Sequence, residues 1–272
     1  MEPHTRKIIR CLRRIGFRHH IYNTQVRIQS LVFPPPPIGH FPPLCLTTRK
    51  PPYGLLAKGG ELTAETLLLA YSKGIFPLYN EGAPVEWHSC HPRMVLFLEK
   101  MRQTGLRPII KSGRYSISFD ADFEGVVKGC SDRRSTWLFP SRRKVSYQLH
   151  QMGHAHSVEV RNSEGELVGG LFGVDLGKMF LMESGFYRES NASKVAVAYL
   201  NCHLQHWGYR LNDIGSYQET CQRMGYEEIP RKQYLALLPE LVTSEKNIGK
   251  WQVDERLDVG NWIPAQPGSQ LK

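Results

Sequence analysis

The sequence predicts an α+β fold: a mixed sheet with flanking helices, preceded by a basic, proline-rich extension. Three observations carry this. Residues 156–184 read as strand, turn, strand, strand; the segments on either side repeat apolar residues at helical spacing; and basic residues and proline crowd into the first 60 positions. The 272 residues, 22% charged and 41% apolar, suit one large globular domain or two small ones and exclude a wholly disordered or fibrous chain. No run of about 18 apolar residues occurs, so no membrane span and no membrane partner are expected.

The net charge of +10 is unevenly spread. Arg6, Lys7, Arg10, Arg13, Arg14, Arg18, Arg27, Arg49, Lys50 and Lys58 face the single acid Glu2, so the rest of the chain is almost neutral. Pro3, Pro34 to Pro37, Pro42, Pro43, Pro51 and Pro52 lie in the same region, and such a density removes amide donors and enforces extended backbone. Residues 1–52 are therefore read as an extension, and the compact part begins near Tyr53. The six cysteines show no CxxC pair, which argues against a zinc knuckle or disulfide scaffold and for a reducing compartment. A cytoplasmic, monomeric protein is expected. The Arg-rich, acid-poor leader leaves an organelle address as the alternative, although its serine content is low.

Along the chain, Thr63 caps a helix through Leu67 to Tyr71 that Gly74 stops, and Pro77 forces a loop. Met94 to Leu98 and Tyr115 to Phe119 read as strands, and Phe123, Val126 and Val127 as a helix ending at Gly129. A second helix over Ser141 to Met152 places Val145, Leu149 and Met152 on one face. His156 to Val160, Leu167 to Val174 and Lys178 to Ser184 form a meander, turned first at Asn162 to Gly165 and then at Asp175 to Gly177. Ser190 or Asn191 opens a long helix, Tyr209 to Ile214 is a strand, and helices follow near Tyr217 to Met224 and Arg231 to Leu241.

There is no GxxxxGK[ST] loop, HExxH, GxSxG or dinucleotide-binding glycine fingerprint. Asp213 ends a strand beside Gly215 and Ser216, where a carboxylate is either presented to a cleft or caps the next helix. Glu183, flanked by Met182 and Phe186, is either a functional acid or the partner of a base such as Arg188. His154 and His156 share a face, as a metal or acid-base pair would, or serve as hydrogen-bonded posts at a strand entrance. Trp137, amid Arg133, Arg134, Arg142, Arg143 and Lys144, is either a base-stacking ring among phosphate ligands or a core residue beside a solvated basic run.

Taken together, YGLLAKGGEL (53–62), LAYSKGIFP (69–77), LHQMGHAHSVEV (149–160), LVGGLFG (167–173), ES (183–184), NASK (191–194) and EIPR (228–231) resemble the leucyl/phenylalanyl-tRNA-protein transferase family, in order over about residues 53–240. The resemblance implies a small N-terminal domain, 53–105, joined to an acetyltransferase-like (GNAT-like) catalytic domain, 106–245, with 246–272 as a C-terminal tail. It also implies transfer of leucine, phenylalanine or methionine from aminoacyl-tRNA to an N-terminal Arg or Lys of a protein, marking it for degradation. By resemblance, Asp213 is the catalytic aspartate that holds or deprotonates the incoming amine. Glu183 recognises the cationic acceptor or orients the reacting groups. Trp137 and Asn191 border the terminal-adenosine site, Leu171, Phe172 and Phe180 line the amino-acid pocket, and Arg142, Arg143 and Lys144 contact the RNA. The aminoacyl ester is already activated, so no metal or other cofactor is expected.

Several positions depart from the family pattern. Ile214 and Gly215 stand where the family has Cys and Gln, with Gln218 a possible substitute. Two pocket positions change, to Gly185 where the family has methionine and to Tyr187 where it has serine, while Asn212 stands for an apolar residue and Leu78 for tryptophan. Two other readings accompany this one. A catalytically impaired tRNA- or peptide-binding descendant follows from the missing glutamine. An acyl-CoA-dependent N-acetyltransferase is disfavoured because Gln222 to Glu227 puts an acid where a pyrophosphate loop needs a small residue.

Overall fold

The computed structural model describes residues 40–48, 53–103, 105–134, 136–243 and 251–265, so most of the expected extension lies outside the described residues. The chain divides into two compact units, the first ending at His91 and the second beginning at Pro92. The division falls before residue 105 because the strand at Arg93–Phe97 belongs to the larger sheet.

The first unit contains β1 (Tyr53–Lys58), α1 (Ala64–Ser72), β2 (Phe76–Pro77) and β3 (Glu86–Cys90), with the strands antiparallel in the order β1-β3-β2. The Thr63 hydroxyl accepts from the Thr66 amide at 3.1 Å, the cap expected from sequence, and α1 buries Ala64, Leu67, Ala70 and Tyr71. Pro77 lies in a two-residue strand rather than a loop, at the sheet edge, where a missing amide is tolerated. Buried Trp87 on β3 donates its indole N–H to the Gly59 carbonyl at 3.0 Å.

The second unit is a seven-stranded sheet. Its elements in chain order are β4 (Arg93–Phe97), α2 (Arg107–Lys111), β5 (Ser116–Phe119), α3 (Phe123–Ser131), α4 (Pro140–Gln151), β6 (Ala155–Arg161), β7 (Leu167–Asp175), β8 (Met179–Tyr187), α5 (Ala192–His206), β9 (Leu211–Gly215), α6 (Glu219–Arg223), β10 (Glu227–Ile229) and α7 (Arg231–Leu241). The spatial order is β10-β4-β9-β8-β7-β6-β5. The meander is present as β6, β7 and β8, and this mixed α+β arrangement agrees with the expected fold class. One face packs on α5: a Cβ at Gly169 would lie 2.6 Å from the Ala192 Cβ. The other face packs on α3 and α4, where Phe123 meets Phe172 edge-on at 5.8 Å. β3, α2 and β10 had no sequence signal; each is five residues or fewer.

The part of the expected tail that is described, residues 251–265, is core. Buried Trp251 stacks on His156 at 3.9 Å and meets Trp207 at 4.9 Å. Its amide donates to Asp120 Oδ2 at 2.8 Å, an oxygen also 2.7 Å from His156 Nδ1, so His156 is a structural post. Further on, the Asp254 amide donates to His203 Nε2 at 3.0 Å. The His203 Nδ1 lies 2.8 Å from the Tyr199 carbonyl and must be the protonated nitrogen, so the ring is neutral when the segment is docked.

Burial, partly offset by the Tyr199 carbonyl and Asp254, lowers the His203 pKa. Unfolding releases the ring to take up a proton that the folded site refuses. The His203 contribution is therefore complete above the ordinary imidazole value of about 6.5 and lost as pH falls through the lower folded value. His88, also lowered by burial, acts with the same sign in the first unit. Urea midpoints between pH 8 and 5 should fall less steeply for His203→Gln, which keeps an acceptor without titrating; parallel slopes would refute this assignment.

Gly225 has φ +102, and a Cβ there would overlap the Lys100 carbonyl oxygen, whereas Gly165, φ +80, has open space around it. Gly165→Ala should cost about 1 kcal/mol of backbone strain alone. Gly225→Ala should cost about 3 kcal/mol, strain plus overlap. Equal losses in urea unfolding would contradict the packing described.

Candidate active site

β8 and β9 are the only parallel neighbours among the described strands, and α5 connects them. They pair at Met179 with Leu211, Phe180 with Asn212 and Leu181 with Asp213, and then part. β8 continues to Tyr187 while β9 ends at Gly215, which leaves a wedge between their C-terminal ends, the place where open sheets bind ligands. Asp213 sits on the last shared rung.

Glu183 owes its orientation to a β-bulge. Gly173 pairs with Met182 and Phe172 with Ser184, so Glu183 is the extra residue of β8. Met182 packs against the α5 side, but Glu183 and Ser184 both turn toward α3 and α4. Both Glu183 oxygens lie 2.6 Å from Arg142 Nη2, with the side chains 2% and 0% exposed. Arg142 also donates to Ser146 Oγ at 3.0 Å, and its guanidinium sits 5.3 Å over the half-buried Trp137 ring. Two expectations are corrected here. Arg142 is inside the protein and has no surface for RNA, because it neutralises Glu183. Arg188, the example of a base that could pair with Glu183, instead donates to the Leu167 carbonyl at 3.1 Å and lies 3.8 Å from Asp132. Arg143 is half-buried and Lys144 exposed. Nearby, burial pushes the Cys130 thiol up to about 12, so it stays protonated and is no nucleophile.

Asp213 is fully buried. Arg93 Nε donates to its two oxygens at 2.9 and 3.0 Å, Arg93 Nη2 to Oδ2 at 2.7 Å and the Tyr234 hydroxyl to Oδ2 at 2.6 Å. The Gly215 amide donates to Oδ1 at 2.8 Å. Asp213 is thus neither a helix cap nor, in this arrangement, open to an incoming amine. Arg93 stacks over Tyr234 at 4.8 Å. Neither residue was singled out from sequence, for they stand 120 and 21 positions from the aspartate and carry no local pattern. Gly215 has φ +77, a conformation in which a glutamine would be strained, and the chain turns there because the Asp213 carboxylate captures its amide.

The family described as leucyl/phenylalanyl-tRNA protein transferase matches residues 95–239, and its N-terminal domain matches residues 60–91. The chain belongs to this transferase family. A relative from Syntrophobacter fumaroxidans, named leucyl/phenylalanyl-tRNA–protein transferase, is 42% identical over 218 residues, covering 78% of this chain and 92% of its own. One of the same name from Pseudomonas syringae pv. syringae is 43% identical over 199 residues, covering 71% and 86%. Among solved structures, a tandem GNAT protein from the clavulanic acid biosynthesis pathway is 14% identical with a TM-score of 0.34, covering 63% of this chain and 60% of its own, too distant to bear on activity.

Other residues that the transferase resemblance had picked out are dispersed. Leu171 and Phe172 are consecutive on β7 and face opposite sides of the sheet, so they cannot line one slot. Leu171 and Phe180 belong to the core beneath α5, and Phe172 packs against Phe123. Asn191 precedes α5 with φ +67 and makes no cap; its Oδ1 accepts from Lys194 Nζ at 3.0 Å. Gln218 precedes α6, and the Asp213 oxygens are held without it. Gly185 lies between Leu171 and the wedge, and Tyr187 is 68% exposed.

Removing one partner of the buried pair leaves an uncompensated charge. Arg142→Ala should lower stability by about 3–5 kcal/mol, and Arg142→Met with Glu183→Gln should recover most of it. Urea unfolding measures both; a single variant within about 1 kcal/mol of the parent would show that the pair is not buried.

Proposed function

We propose that this chain is an aminoacyl-tRNA-dependent protein aminoacyltransferase that works in the wedge between β8 and β9. It moves leucine or phenylalanine onto the N-terminal Arg or Lys of a protein, marking that protein for degradation, and does so as a cytoplasmic monomer. No helix of the described residues is long and apolar enough to cross a membrane. The observation that carries the reading is the parting of β8 from β9 with Glu183 and Asp213 at its root, in a chain of this family.

The reaction asks little of the protein. The free amine of the acceptor attacks the ester carbonyl, a C–N bond forms, the bond to the ribose oxygen breaks, and the amine proton ends on that released hydroxyl. Ester aminolysis is downhill, so orientation and oxyanion stabilisation supply the acceleration. Asp213 is a positioning residue here. Bound by Arg93 and Tyr234, it fixes the Gly215 turn and hence the β9 wall of the wedge. Glu183 is already neutralised by Arg142, so we assign it to holding the bulge and the Trp137 face rather than to gripping the acceptor cation. Trp137 and Asn191 are read as neighbours of the terminal adenosine, Leu171 as the apolar floor, and Arg143 and Lys144 as phosphate contacts.

Incubation with leucyl- or phenylalanyl-tRNA and a peptide beginning with Arg or Lys should give a peptide longer by one residue. Asp213→Asn should reduce kcat about 100-fold, the cost expected of misplaced geometry. It should also leave tRNA affinity unchanged. Failure to transfer from any charged tRNA would overturn the reading, and full activity in Asp213→Asn would remove the positioning role.

A further inference from the structure

Two of the arginines at the wedge are taken by its acids: Arg93 is ion-paired with Asp213 at 2.7 Å and Arg142 with Glu183 at 2.6 Å. A third, Arg133, is not. It donates to the Ser184 hydroxyl at 3.3 Å and to the Gly185 carbonyl, both on β8 beyond Leu181, the last residue paired with β9. Its guanidinium therefore lies against the β8 wall of the wedge, held by neutral acceptors.

Among the described residues nothing cancels this charge. Asp132, next to Arg133 in the chain, turns to Arg188 at 3.8 Å, and Glu183 is held by Arg142. The Cys130 thiol shares the Ser184 hydroxyl, but burial pushes it up to about 12, so it stays neutral. Both Arg133 bonds leave from Nη2, and Nε and Nη1 make no hydrogen bond with the described residues. Arg133 is exposed, so these N–H groups can be reached. An anchored cation with donors to spare is suited to an anion.

The transfer reaction generates one. As the amine nitrogen attacks the ester carbonyl, the C–N bond forms and the carbonyl π pair moves onto oxygen. That pair returns as the bond to the ribose oxygen breaks, and the ribose oxygen keeps the bonding pair and takes the amine proton. Between the two events the former carbonyl oxygen is negative, and the acids Asp213 and Glu183 cannot stabilise it. The ester hangs from the nucleoside read as lying beside Trp137. Trp137 packs with Arg142 on the α3 and α4 side of the sheet, where Arg133 also stands.

We infer that Arg133 is a catalytic residue whose free N–H groups receive the oxyanion of the tetrahedral intermediate. The inference rests on the aminoacyl-transfer reading above and supplies the oxyanion donor for it. A neutral ester carbonyl gains far less from a cation than an oxyanion does, so the contact acts on the rate rather than on binding.

The test uses the whole chain, leucyl-tRNA and a peptide beginning with Arg, with the single-turnover rate at saturating substrate and both KM values measured. Arg133→Gln should slow the chemical step about 100-fold and leave both KM values unchanged. Arg133→Lys, which keeps the charge, should retain about a tenth of the parent rate. Thermal unfolding checks that both variants are folded. An unchanged rate in Arg133→Gln would overturn the inference. So would a raised KM for tRNA at an unchanged rate, which marks a phosphate contact, or an equal loss in both variants, which marks a role in shape alone. Each of these leaves the transfer activity standing, whereas no transfer by the parent from any charged tRNA would overturn that reading and the inference with it.

Discussion

A buried carboxylate gripped by a guanidinium and a phenol determines where β9 stops accompanying β8. Asp213 joins β4 through Arg93 and α7 through Tyr234, and its remaining capacity takes the Gly215 amide. Three elements far apart in sequence thus meet at one charge. Desolvating such a pair is costly and is offset only by good geometry and further hydrogen bonds, which is the arrangement found. Any shift of β4 or α7 would break several charge-assisted bonds at once, so the mouth of the wedge is tied to the register of the sheet.

The opposite arm repeats the device. Glu183 is held by Arg142, whose guanidinium lies over Trp137 as that of Arg93 lies over Tyr234. Both acids at the root of the wedge are therefore paired with arginines of the protein. An unpaired carboxylate at this place would repel the phosphates of a nucleic acid; a neutralised one does not. The pairs have a further effect on specificity. A glutamate already satisfied from within has little left to offer another cationic group.

The meander, the capped helix at Thr63 and the last helix were legible because alternation, capping and helical spacing are local signals. The bulge was not. It breaks a period of two by a single residue, and the pattern around Met182 to Phe186 gives no warning that Glu183 and Ser184 face the same way. Nor were the partners of the two acids, for Arg142 lies 41 residues from Glu183 and Arg93 120 from Asp213. A basic run such as Arg142 to Lys144 reads as solvated, yet helical spacing turns its first member inward. The C-terminal segment escaped for a different reason: its anchors are single rings and backbone amides with no repeat to detect.

That same segment closes one end of the α5 face. Trp251 packs among His156, Phe180 and Trp207, closing the α5 face near the start of β8. α5 itself begins against Gly169, while on the opposite face Phe186 of β8 packs against Gly129 of α3. Asn191 sets the start of α5: its left-handed backbone begins the helix at Ala192. The conformation of one residue before α5 thus sets where that helix starts over the sheet, whereas the near end of β8 is sealed by aromatic packing.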